Sequence, residues 1–212
     1  MAEKHSTRPR AARMTGRERR EQLLAVGRRL FAEKGYDATS VEEIAARAKV
    51  SKPIVYEHFG GKEGLYAVVV DRETQTLLSE LETALEDASA HPRVLVERAT
   101  LAFLTYIEEN EDGFRILVRD SPVERGSGTF SSLLGDVATT AESILALYFR
   151  ARKFRVQDAA LYAQMLVGMV AFTGQWWLEH RSPPKEQLAA RMVNLAWRGL
   201  AGLERAPDLT RR

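Results

Sequence analysis

Between Val50 and Phe59 the run VSKPIVYEHF crowds a serine, a lysine, a tyrosine, a glutamate and a histidine into ten residues. Hydroxyl, ammonium and imidazole donors at this density suit phosphate oxygens, and an outward carboxylate suits the cytosine amino group. Elsewhere the groups able to do chemistry are dispersed. The histidines His5, His58, His91 and His180 lie far apart, no H-E-x-x-H occurs, and GGKE lacks the spacing of a phosphate-binding loop. The absence of cysteine removes disulfides, thiolate metal sites and thiol nucleophiles, and fits a reducing cytoplasm. No metal and no cofactor is expected, although a Ser-His-Asp set drawn from distant positions stays open.

Charge is placed unevenly. Residues 1–65 hold 14 Lys and Arg against 9 Asp and Glu, while the remainder holds 17 against 20. The first twenty residues carry Lys4, Arg8, Arg10, Arg13, Arg17, Arg19 and Arg20 against Glu3 and Glu18. Such an arm suits a polyanion as readily as it suits a solvated tail. No apolar run reaches membrane-spanning length, and no hydrophobic stretch follows the basic start, so neither a membrane partner nor a secretory signal is expected.

The elements that must position these groups are all helical, because apolar residues recur at three- and four-residue spacing and no segment alternates with period two. About nine helices are expected. The first follows Thr15, buries Leu23, Val26, Leu30 and Phe31, and stops near Lys34 before Gly35. Ser40 and Glu43 read as a capping box for a second. Ser51 caps a third, whose Pro53 sits in the first turn, where a missing N–H costs little. A long fourth helix runs from Lys62 towards Ala88, and others are expected near 93–109, 113–119, 130–152, 156–180 and 184–204. These divide into a basic arm over 1–14, a three-helix helix-turn-helix unit over 15–61, a larger unit over 62–205 and a tail over 206–212.

At about 100° per residue, Val55 and Phe59 fall on one side of the third helix and face a core. Pro53, Ile54 and Glu57 then point away, with Lys52, Tyr56 and His58 on the flanks. Two short helices joined by a tight turn match a helix-turn-helix, whose second helix enters the major groove. An outward isoleucine suits a thymine methyl, while exposed isoleucines and capping serines also occur on ordinary surfaces.

The run TSVEEIAARAKVSKPIVYEHFGGKEGLY, Thr39 to Tyr66, resembles the DNA-binding domain of TetR-family transcriptional repressors, and the match extends back through RRLFAEKGYDATS. The resemblance implies Ser40 and Ser51 as phosphate-binding caps, Tyr56 and His58 as backbone contacts, and Lys62 as a phosphate contact. It places Lys52, Pro53 and Ile54 at base-reading positions. Arg17, Lys49 and Glu57 complete the candidate DNA contacts. Lys49 stands where such repressors often have glycine, and Gly61 and Gly64 replace a polar cap and a bulky residue, which implies a looser start to the fourth helix.

The resemblance implies that the remaining helices bind a ligand and dimerise, without naming the ligand. Residues 156–180 are almost wholly apolar and include Gly168 and Gly174, for which close helix approach is the expected compensation. Trp176 and Trp177 diverge by about 100° and cannot share one buried face. With Trp197 they favour a homodimer through the helices near 156–180 and 184–204. Candidate ligand contacts are Phe103, Tyr106, Phe114, Leu117, Tyr148, Met165, Met169, Phe172 and Trp176, since methionine and aromatic side chains suit an adaptable apolar cavity as well as an ordinary core. Arg115, Arg119 and Asp120 stand as candidates for a polar head group or for surface ion pairs.

Three functions therefore compete. The first is a dimeric repressor on a pseudo-palindromic double-stranded operator, released by an apolar or amphipathic small-molecule effector. The second is a ligand-independent DNA-binding dimer, which a solid core would favour. The third is an enzyme in the larger unit.

Overall fold

Thr15 opens the first helix with a complete capping box: its hydroxyl accepts from the Glu18 amide, and its own amide donates to the Glu18 carboxylate at 2.7 Å. The computed structural model describes residues 14–87, 90–119 and 130–204. The arm except Met14, the connector from Asp120 onward and the tail over 206–212 lie outside the described residues.

Among the described residues there are nine α-helices and no strand. They are α1 Gly16–Lys34, α2 Val41–Arg47, α3 Lys52–Phe59, α4 Lys62–Leu85 and α5 Pro92–Glu109. After these come α6 Glu111–Val118, α7 Phe130–Arg152, α8 Ala159–His180 and α9 Lys185–Ala201, with one 3-10 turn, Val156–Asp158, before α8. No described helix is long and apolar enough to cross a membrane.

One apolar core runs from Leu23 in α1 through Val55 in α3 and Leu65 in α4 to Met192 in α9. The helix-turn-helix therefore shares its core with the larger bundle, and α4 passes through both. Beside it, Leu145, Tyr148 and Phe149 of α7 pack with Ala159 and Ala163 of α8 and Leu200 of α9 as a second cluster. α7 lies along α8 and meets α4 and α5 at few points, which leaves a space between them.

The two tryptophans separate as their spacing requires. Trp177 is buried and its indole N–H donates to the Pro183 carbonyl at 2.8 Å, while Trp176 is about half exposed and stacks on His180. Gly174 does allow a close approach: a Cβ there would meet the Phe103 ring at 2.5 Å. Gly168 does not, since a Cβ there would meet nothing within 4 Å.

Candidate DNA interface and effector cavity

α2 ends in a Schellman motif, with the Val50 amide on the Ala45 carbonyl and the Lys49 amide on the Ala46 carbonyl. That motif needs a left-handed residue between α2 and α3, and Lys49 adopts it at φ 55°. Without the glycine the turn keeps its left-handed geometry, and Lys49 carries the strain.

α3 is held by its inner face and by its ends. Val55 is fully buried. At the C-terminal end, the Arg20 guanidinium donates to the His58 carbonyl at 2.8 Å and lies 4.3 Å from the Phe59 ring centre. Gly64 sets the crossing with α4, because a Cβ there would stand 1.9 Å from the Phe59 carbonyl oxygen. The start of α4 is therefore closer to α3 than a bulky residue permits, rather than looser.

Ser51, Lys52, Pro53, Tyr56 and Glu57 are exposed along α3, together with Lys49 in the turn and Arg17 and Ser40 at neighbouring helix starts. On α3 itself Pro53 and Glu57 lie on the side away from the buried Val55, with Lys52 and Tyr56 on the flanks. Six expected groups differ in detail. Ile54 is only partly exposed and packs on the core, because the short helix turns its flank towards the bundle. Ser51 occupies the N-cap of α3 but makes no capping hydrogen bond. Ser40 accepts from the Glu43 amide at 3.2 Å, yet the Glu43 carboxylate is drawn to Lys34 at 2.6 Å, so half of the expected box forms. Lys62 is turned inward: its ammonium donates to the Tyr36 carbonyl at 2.9 Å and sits 4.0 Å from the Tyr36 ring centre. His58 is half-buried beside Phe59. Lys52 is paired with Glu42, and this hydrogen bond holds the Glu42 carboxyl below the usual carboxylate range.

In the larger bundle an apolar cavity of about 120 Å³ lies between α4, α5, α7, α8 and the end of α9. That is roughly ten times the ~10–15 Å³ needed by one water. Phe103 and Tyr148 line it. Tyr106, Phe114 and Leu117 do not, because the α4–α5–α6 contact buries them in the main core. Met169 packs against that core, while Met165, Phe172 and Trp176 point out of the bundle at 55%, 72% and 49% exposure. Trp197, assigned from sequence to an interface, lines the cavity instead. Arg115 pairs with Glu111 and Glu179, and Arg119 donates to the Phe31 carbonyl, so neither faces the cavity.

Residues 23–69, spanning most of α1 to the middle of α4, match the family model described as bacterial regulatory proteins, tetR family. Residues 92–199 match the tetracyclin repressor-like C-terminal domain. The chain belongs to the TetR family. A transcriptional activator, FasR of Mycolicibacterium smegmatis, is 31% identical over 91% of this chain and 87% of its own. A transcriptional repressor, DhaR of a Mycobacterium species, is 34% identical over 50% of this chain and 51% of its own. A TetR-like regulator from a Rhodococcus species superimposes with a TM-score of 0.75 at 27% identity, over 90% of this chain and all of that one. PfmR of Thermus thermophilus gives 0.66 at 29% identity, over 92% and all of its chain. As a TetR-family member the protein is a DNA-binding transcriptional regulator and not an enzyme. Among the described residues no cluster of His, Asp and Glu could hold a metal ion.

Sequence reasoning missed Arg20, which clamps α3, and Glu73, a carboxylate only 8% exposed in the middle of α4. The one signal for Glu73 was an arginine, Arg28, in the apolar stretch of α1 that packs on α4. Glu73 accepts from Arg28 Nε at 2.6 Å and from the Tyr106 hydroxyl at 3.1 Å. Burial, with the Glu73 charge beside it, pushes the Tyr106 phenol far above its ordinary pKa, so it stays a neutral donor.

Proposed function

We propose that the protein is a dimeric operator-binding regulator whose DNA affinity is lowered by an apolar or amphipathic small molecule in the α4–α5–α7–α8 cavity. It acts as a repressor where the operator overlaps a promoter. The observation that carries this reading is the cavity itself, since a ligand-independent dimer has no use for an unfilled core. Its lining contains no carboxylate, imidazole or amine to run acid–base chemistry.

In this reading residues 15–61 are the DNA-binding unit and 62–205 the effector and dimerisation unit. Lys52, Pro53 and the exposed edge of Ile54 face bases, with Glu57 beside them, while Arg17, Ser40, Lys49, Ser51, Tyr56 and His58 address phosphates. Lys62 supports the turn from within. A half-site spacing that matches the dimer would make the operator pseudo-palindromic.

The dimer is supported by an apolar row on α8. Leu161, Met165, Phe172 and Trp176 are exposed with Gly168 open between them, a spacing of four, three, four and four residues. That spacing suits a helix–helix seam, and Leu195 on α9 is a further exposed apolar residue at 66%.

α4 is the proposed lever. Leu77, Leu81 and Leu85 wall the cavity, while the same helix at Gly64 touches α3. The test is to select bound fragments from genomic DNA with the purified protein, then to screen apolar compounds for release. An operator that no cavity-binding compound releases would refute effector control while leaving DNA binding in place.

A further inference from the structure

α3 is a short helix with few restraints of its own. Of its eight residues only Val55 is buried, and its N-cap, Ser51, makes no side-chain hydrogen bond. Its C-terminal end is held from outside. The Gly60 amide takes the Tyr56 carbonyl at 2.8 Å, and the His58 carbonyl, one of those a helix end leaves without a partner, accepts from Arg20 Nη1 at 2.8 Å. The same guanidinium lies 4.3 Å from the Phe59 ring centre. Arg17, three residues earlier on α1, is exposed, whereas Arg20 is half-buried. The Arg20 charge is thus turned inward, onto the negative end of a helix and onto an aromatic face.

The place of this contact along α3 gives it leverage. At a rise of about 1.5 Å per residue, His58 stands about 4.5 Å beyond Val55, and Lys52 stands about 4.5 Å before it. With Val55 seated in the core as the pivot, a shift at His58 moves the start of α3 by a similar amount in the opposite direction. Ile54 and Glu57 have side chains too short to make up such a shift, and a hydrogen bond to a base edge holds only over about 2.7–3.2 Å. Phosphate contacts are more tolerant, because charge acts at longer range and carries no sequence information.

We propose that Arg20 is a positioning residue for sequence recognition. By tying the C-terminal end of α3 to α1 it fixes the angle at which the helix meets the bases, and so raises discrimination between operator and other DNA without itself bonding to a base or a phosphate. The proposal rests on α3 being the helix that reads bases.

Full-length protein is titrated by fluorescence anisotropy against the selected operator and against a scrambled duplex of equal length, across a salt series. Arg20→Met keeps the aliphatic stem and removes the donor and the charge. Losing a hydrogen bond from a charged donor lowers the correctly seated fraction of α3 by about tenfold, and operator affinity should fall about tenfold with it. Affinity for the scrambled duplex should change by less than about twofold, and the slope of log affinity against log salt should stay at the wild-type value. Arg20→Lys, which can still donate to the His58 carbonyl, should restore most of the operator-to-scrambled ratio. Arg20→Gln, which keeps an amide donor, replaces Arg20→Met if that variant is unfolded at the assay temperature, and its ratio should lie between the two. A wild-type ratio in the variant measured overturns the proposal. So do equal losses on both duplexes, the mark of a merely structural residue, and a slope reduced by about 0.9 per protomer, the mark of a phosphate ligand. A Lys52→Ala, Tyr56→Ala double variant separates the two readings. Wild-type operator affinity there overturns α3 as the reading helix and Arg20 with it, whereas weakened binding there beside a wild-type ratio in Arg20→Met overturns Arg20 alone.

Discussion

Replacing Lys49 with glycine should make the protein more stable and a weaker DNA binder at once. Lys49 sits at φ 55° between α2 and α3, in the left-handed position that closes the Schellman motif. An L-residue there is strained by about 1–2 kcal/mol, and glycine is not, though it loses about 0.5–1 kcal/mol more in backbone entropy on folding. The net gain is about 0.5–1 kcal/mol. For a chain of this size that corresponds to roughly 1–4 °C in melting temperature, measured at one protein concentration because the proposed dimer makes melting concentration-dependent. Lys49→Ala is the control, since it removes the ammonium but keeps the strain. Both variants should lose a phosphate contact, reducing the slope of log affinity against log salt by about 0.9 per protomer. Fluorescence anisotropy on the selected operator across a salt series reads that slope. A glycine variant no more stable than the alanine variant would refute the strain argument, and an unchanged slope would remove Lys49 from the DNA face.

Gly64→Ala drives a Cβ against the Phe59 carbonyl, a backbone atom that cannot rotate away; it should cost about 1–3 kcal/mol, seen as a lower melting temperature, and a wild-type melt would contradict the tight α3–α4 crossing. Glu42→Gln frees Lys52 and removes a negative charge from the DNA face. It should tighten operator binding roughly threefold to tenfold at low salt, and anisotropy showing weaker binding would mean that Glu42 holds Lys52 in its binding position. Phe172→Glu places a charge in the exposed α8 row and should leave a monomer in sedimentation velocity; a persisting dimer would move the interface elsewhere.

The helices were legible because their boundaries are written in local chemistry. Thr15, Ser40 and Ser51 precede helix starts, Gly35 and Gly60 follow helix ends, and Pro92 and Pro184 mark entries. The cavity was much less legible, since α8 is apolar on both sides and periodicity cannot say which side is inward. Met165, Phe172 and Trp176 share the outward row, whereas Leu166, Val167, Val170 and Ala171 on the same helix line the cavity. The direction of Lys62 was not legible for another reason: it reaches Tyr36 over a distance of 26 residues in sequence, and a flexible side chain's direction is set by such tertiary partners.

The joint between the two halves supports the proposed role of α4 as the lever. Arg28 of α1 and Tyr106 of α5 both donate to the buried Glu73 carboxylate of α4. Asp112 of α6 stands 3.8 Å from Arg28, and a Cβ on Gly113 would meet Glu73 at 1.8 Å. A largely buried carboxylate with directional donors tolerates sliding poorly, because a displaced donor leaves its charge less well paired where water has little access. α4 therefore does not slip past α1 at Glu73. Under the proposed effector control, motion imposed at Leu77, Leu81 and Leu85 would pass this point as rotation of α1 and α4 together. Arg20 of α1 and Gly64 of α4 both grip α3, so that rotation carries the recognition helix with it. An effector then changes operator affinity only by as much as it prefers the rotated arrangement, about 1.4 kcal/mol for each tenfold of release.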